Sequence, residues 1–242
     1  MTDIYLDLRK TTLYVRDNSE SIVSHGFIVT FPGDKDKKTS RPFLVISSKV
    51  EIKDGSYVEL PIIDNLGKKA IYREPIAKNM FASLNQHGLD VLVLPIAHVY
   101  NNLMSRGFAI DFKTIPEDLI LNDAFNEKLS TFENVCTFSH NNDFEEIAFY
   151  RKDSLSEIKN ADTFYVDNQG IDYVGSPVFI FNQSTYVENN SINIGSRLFL
   201  VGISVKRIGS VAKIQSMKKV VEIIKILFNF DTDFDKTNQS NQ

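Results

Sequence analysis

Short apolar runs rich in β-branched residues recur along almost the whole chain, with turn residues between them. Thr11–Val15 and Tyr57–Ile62 alternate apolar with polar residues, the period of a half-buried strand. Ile22–Phe31 is a longer run broken by Gly26. Pro32-Gly33-Asp34 and the lysines Lys35, Lys37 and Lys38 follow it and read as a turn and a solvated loop. Phe43–Ser47, behind Pro42, is continuously apolar and predicts a buried strand. Asn65-Leu66-Gly67 reads as a hairpin turn with Lys69–Arg73 returning, and Asp90–Ile96 is a further apolar strand stopped by Pro95. A chain built this way is all-β, and the spacing admits either barrels or a sandwich.

The rhythm changes between Thr114 and Ser130, where Pro116-Glu117-Asp118-Leu119-Ile120 and Ala124-Phe125 read as a connector with a short helical piece. Strands are expected again at Asn134–Phe138, Glu146–Arg151, Thr163–Asp167, Pro177–Phe181 and Leu198–Val205. Ser216–Leu227 carries an apolar stripe through Val220, Val221, Ile223, Ile224, Ile226 and Leu227, with Lys218, Lys219 and Lys225 beside it: a C-terminal amphipathic helix that packs on the second unit. The expected division is therefore residues 1–113, a connector at 114–131, a second unit at 132–229, and a polar, disordered tail at 230–242.

Composition narrows the function. The 242 residues are 43% hydrophobic and 24% charged, ordinary for a soluble protein, and the net charge is −4 with no basic half. That argues against nucleic acid or an anionic membrane as the partner, since both are met by clustered positive charge. Cys136 is the only cysteine, so no internal disulfide forms and a reducing compartment is expected. The N-terminus opens without a basic region and apolar run, and no window approaches the ~20 apolar residues of a membrane span, so a cytoplasmic protein is expected. His25, His87, His98 and His140 have no metal-ligand spacing, and no phosphate-cradling glycine loop occurs, so neither metal nor cofactor is expected.

Three segments, taken in order, resemble the trypsin-like serine peptidases, in particular the compact bacterial ones. Gly26-Phe27-Ile28-Val29 followed by Phe43-Leu44-Val45-Ile46-Ser47-Ser48-Lys49-Val50 is similar to the segment that ends in the general-base histidine. His87-Gly88-Leu89-Asp90-Val91-Leu92-Val93-Leu94-Pro95-Ile96 is similar to the segment holding the aspartate that orients that histidine. Asp172-Tyr173-Val174-Gly175-Ser176-Pro177-Val178-Phe179, then Leu198-Phe199-Leu200-Val201-Gly202-Ile203, resembles the nucleophile turn and the strand after it. The resemblance covers roughly residues 10 to 228 and implies two six-stranded antiparallel β-barrels with a C-terminal helix.

Carried over residue by residue, the resemblance implies a degenerate triad. Lys49 stands at the base position, Asp90 matches the orienting aspartate and Val174 stands at the nucleophile position, while Asp172, Tyr173, Gly175 and Ser176 fall in the oxyanion-hole and cleft region. Valine offers no nucleophilic atom, and lysine is ordinarily protonated near neutral pH and accepts no proton. What survives loss of a triad member is a background of about 10³–10⁴ over water. Asp90 gains a new role if it pairs with the Lys49 ammonium, a pairing that a separation above ~6 Å would remove.

Two functions follow from the resemblance. The first is a pseudoprotease: a non-catalytic module whose cleft binds a protein or peptide segment at a strand edge. The second is a hydrolase with a rearranged site using Ser176, Ser48 or Cys136. Ser176 lies on the strand leaving the nucleophile turn, Ser48 and Lys49 point to opposite faces as neighbours on a strand do, and Cys136 sits within an apparent strand. His87, three residues before Asp90, is the candidate for a displaced base. Nothing in the pattern specifies an oligomeric state.

Overall fold

The structure of the protein, a computed structural model, describes residues 4–33, 38–120, 134–140, 148–160, 162–167, 174–182, 185–188, 191–194 and 197–230. Two antiparallel β units follow one another along the chain. The first contains β1 (Leu13–Arg16), β2 (Ile22–Pro32), β3 (Ser40–Ser47), β4 (Tyr57–Ile63), β5 (Lys69–Pro75), β6 (Ala82–Ser83) and β7 (Val91–Pro95), laid side by side as β5-β4-β1-β2-β3-β7-β6. Two short strands join it: β8 (Ala109–Ile110) pairs β4, and β9 (Ile115–Pro116), inside the expected connector, runs parallel to β2.

This nine-stranded sheet is open, which corrects the expectation of a six-stranded barrel here. Its two edges explain why. β5 alternates exposed with half-buried residues and carries Lys69, Arg73 and Glu74, and β6 is only two residues long. A charged edge and a very short edge both discourage further pairing.

The second unit does close. β10 (Asn134–His140), β11 (Ala148–Asn160), β12 (Thr163–Asp167), β13 (Pro177–Asn182), β16 (Arg197–Ile208) and β17 (Val211–Ser216) form the ladder β10-β11-β12-β17-β16-β13 and return to β10. The hairpin of β14 (Thr185–Glu188) and β15 (Ser191–Ile194) stands outside that ladder. β11 is described from Ala148 and runs far past Arg151, while Glu146 and Ala124-Phe125 of the connector lie outside the described residues.

Both central strands of the first unit are buried on two faces, the physical meaning of their unbroken apolar runs. In β3, Leu44 and Ile46 enter the first unit's own core with Ile28, Leu92 and Leu94. Phe43 and Val45 face the other way and join Phe27, Val29, Phe31, Val91 and Val93 in a core shared with Phe179, Leu200 and Ile203 of the second unit. β13 repeats the alternation, with Val178 and Ile180 inside the barrel and Phe179 and Phe181 in the shared core.

Three helices complete the described fold: α1 (Ile4–Arg9), α2 (Ala97–Ser105) and α3 (Met217–Leu227). The third is the expected amphipathic helix, and its face packs into the shared core through Val220, Val221, Ile223 and Ile224, so it joins both units rather than covering the second alone. α2 has only two buried positions, Val99 and Leu103, one helical turn apart, a pattern too sparse to read from sequence. Phe230, expected in a disordered tail, is buried instead: its ring lies 5.1 Å from that of Phe31, with the Arg41 guanidinium 4.8 Å over its centre. Burying a side chain of that size is worth about 2–3 kcal/mol, enough to order the chain past the helix end. The remainder of that tail lies outside the described residues.

Candidate functional site

β3 ends at Ser47, and the next residues turn, carrying Lys49 to the mouth of a cleft between the two units. Ser47 fixes this turn to the other unit. Its fully buried hydroxyl donates to the Val205 carbonyl of β16 at 2.9 Å and accepts from the Lys49 amide at 3.1 Å. Ser48 is drawn the other way: its amide donates to the Asp90 carbonyl at 2.9 Å and its hydroxyl to Asn85 Oδ1 at 2.8 Å.

Asp90 sits immediately before β7 and takes two cations. Oδ1 lies 2.7 Å from Lys49 Nζ, so the expected ion pair is present, and Oδ2 lies 2.9 Å from Lys213 Nζ on β17. Burial pushes the Asp90 carboxyl up, but the hydrogen bonds from Lys49 and Lys213 outweigh it and hold the group below the usual carboxylate range. The second unit thus reaches Asp90 through Lys213 and through Gln215, whose Oε1 accepts from the Asp90 amide at 3.4 Å. Neither residue was singled out from the sequence. Both alternate along a strand with buried neighbours, and nothing local distinguishes them from ordinary strand residues.

On the opposite wall, the Val174 carbonyl accepts from the His25 amide at 2.9 Å and from Ser24 Oγ at 3.2 Å. Gly175 follows with φ +90°, and a Cβ there would lie 1.9 Å from the His25 carbonyl oxygen, so only glycine fits the turn. Its amide donates to the Ser204 carbonyl at 2.6 Å, and the Ser204 amide donates back to the Ser176 carbonyl at 3.0 Å. The Gly175 N–H is therefore already engaged. Asp172 and Tyr173, expected beside it, lie outside the described residues.

Lys49 and Val174 line one cleft of about 640 Å³. β2 contributes Ile22, Val23, Ser24 and His25 to it, the loop after β3 contributes Val50, Glu51 and Lys53, and β16 contributes Val205, Lys206 and Arg207. The three positions expected as a degenerate triad are thus brought together, Asp90 reaching the cleft through its ion pair with Lys49. The other candidates stay outside the lining. Ser176 is fully buried and its Oγ has no hydrogen-bond partner among the described residues, Cys136 is buried in the shared core, and His87 is exposed beside Gln86. Among the described residues no group of three His, Cys, Asp or Glu side chains is placed to hold a metal ion.

The fold of this chain is similar to that of the VesB protease of Vibrio cholerae, with a TM-score of 0.51 over 89% of this chain and 63% of that one, at 8% identity. The fold is that of a trypsin-like serine protease. A human pathogenic astrovirus serine protease (TM-score 0.41, 10% identity, 86% of this chain and 90% of that one) is also similar. So is a catalytically inactive tobacco etch virus protease complexed with substrate (TM-score 0.48, 12% identity, 88% and 80%). No protein-family model and no curated protein matches the chain. No helix among the described residues is long and apolar enough to cross a membrane.

Proposed function

We propose that this chain is a catalytically inactive trypsin-like domain, a pseudoprotease of the cytoplasm that needs no cofactor and holds a protein or peptide segment in the cleft between its units. One observation carries the reading: the Asp90 carboxylate is occupied by the Lys49 and Lys213 ammoniums while the isopropyl group of Val174 lines the same cleft. Acyl transfer needs an oxygen or sulfur nucleophile and a base that takes its proton. An isopropyl group supplies no lone pair, and neither does an ammonium. The burial of Ser176 and Cys136 and the engagement of the Ser48 hydroxyl by Asn85 support the reading further, because a nucleophile must reach its substrate.

The test is direct. The full chain, exposed to a fluorophosphonate, a thiol-reactive probe and a broad fluorogenic peptide library, is expected to show no site-specific labelling at Ser48, Ser176 or Cys136 and no turnover. Labelling at one of them together with cleavage overturns the proposal and favours a rearranged hydrolase. Val174→Ser alone is expected to stay inert because the base is still missing, whereas Val174→Ser combined with Lys49→His is expected to gain fluorophosphonate labelling at position 174.

A further inference from the structure

The cleft is cationic in a chain that is acidic overall. Among the described residues Lys49, Lys53, Lys206 and Arg207 line it against a single carboxylate, Glu51, while the whole chain carries −4. Neutralisation within the walls is incomplete. Glu51 lies 3.7 Å from Lys53, and Asp90 is one carboxylate shared between Lys49 and Lys213. Lys206 and Arg207 are exposed near the end of β16, where the Arg207 Nε donates to the Gly209 carbonyl at 2.9 Å, so that contact cancels no charge. The lining also carries the apolar side chains of Ile22, Val23, Val50, Val174 and Val205.

From this we infer that the cleft selects an acidic peptide segment of a partner protein, one in which Asp or Glu residues flank an apolar side chain. The inference rests on the peptide-binding reading above and names its ligand class. Positive walls of low polarity concentrate field lines and draw in negative ligands, and the apolar part of the lining takes a small apolar residue. Nucleic acid fits less well. Its bases stack on aromatic rings, and among the described residues the lining has no Phe, Tyr or Trp. The net negative charge of the chain also opposes a long polyanion.

The experiment titrates the full chain with three fluorescently labelled peptides of equal length and equal apolar content, one Glu-rich, one Gln-substituted and one Lys-substituted, alongside a single-stranded oligonucleotide. The acidic peptide is expected to bind at least about tenfold more tightly than the Gln peptide at low salt, with the advantage shrinking as salt rises. The double variant Lys206→Gln with Arg207→Gln changes two exposed side chains and is expected to lose roughly tenfold for the acidic peptide while leaving the Gln peptide unchanged. Equal binding of acidic and Gln peptides overturns the acidic preference and leaves the peptide-binding cleft standing. Binding of no peptide removes both. Tighter binding of the oligonucleotide than of the acidic peptide, lost in the same double variant, overturns the peptide as the occupant.

Discussion

The two walls of the cleft are held together in different ways. On the wall of the second unit, main-chain geometry holds the turn: Gly175 has φ +90°, the Val174 carbonyl accepts from the His25 amide, the Gly175 amide donates to the Ser204 carbonyl and the Ser204 amide donates to the Ser176 carbonyl. On the wall of the first unit the backbone turn is likewise pinned, by Ser47, but here side-chain charge does the holding, with Lys49, Asp90 and Lys213 forming a connected charge cluster. A backbone turn held by glycine and main-chain hydrogen bonds keeps its geometry whatever side chain stands at position 174. A carboxylate at the edge of a core needs partners for its charge, and here the two lysines are those partners.

Substitutions test this contrast. The largest effect is expected on the backbone-held wall. Gly175→Ala sets a methyl group against the His25 carbonyl at a positive φ, and is expected to cost about 3 kcal/mol or more, or to prevent folding, as read by denaturant unfolding. On the other wall, Asp90→Asn leaves two ammoniums facing each other and is expected to cost about 1–2 kcal/mol. This is less than for a fully buried pair, because the Lys49 side chain is 46% exposed and the Lys213 side chain 23%. The sign with pH follows from the direction of the Asp90 shift. Its folded value lies below its unfolded one, so the stabilisation is fully present above about pH 4 and is lost as the pH falls through the folded value. The difference in unfolding midpoint between the native chain and Asp90→Asn, followed from pH 6 down to pH 2, is expected to close at the acid end.

Ser47→Ala tests what ties the walls together. It removes a buried donor to the Val205 carbonyl and is expected to cost about 1 kcal/mol, with faster backbone amide exchange in both the Lys49 turn and β16. Lys49→Met is expected to change stability least, by about 0.5 kcal/mol, because Lys213 still holds Asp90. A larger loss for Lys49→Met than for Asp90→Asn would show that Lys49 acts on the fold other than through this carboxylate.

Much of this was legible in the chain itself. The apolar runs at Phe43–Ser47 and Asp90–Ile96 became strands β3 and β7, buried on both faces, because only a strand between two cores accepts apolar residues at every position. The stripe at Val220, Val221, Ile223 and Ile224 became helix α3. The pairing of Lys49 with Asp90 was also foreseeable, from two segments that each resemble a neighbour of the same triad. Three things were not legible. The open sheet depends on which strands become its edges, β5 and β6, and that is set by pairings between segments far apart in the chain. The burial of Phe230 depends on a pocket between Phe31, Phe43 and Arg41 on other elements. Lys213 lies 123 residues from its partner Asp90, too far apart for any spacing rule to connect.

By itself, the order of residues settled which atoms are present: a valine at position 174, a lysine at position 49, and a glycine where the backbone must turn left-handed. Covalent identity and local periodicity are properties of short stretches, and a short stretch reports them fully. The tertiary structure alone decided which charges share Asp90, which cations gather around the cleft and which hydroxyls are buried beyond reach. Those are distances between segments far apart in the chain, set only when the shared core closes and brings both units against helix α3.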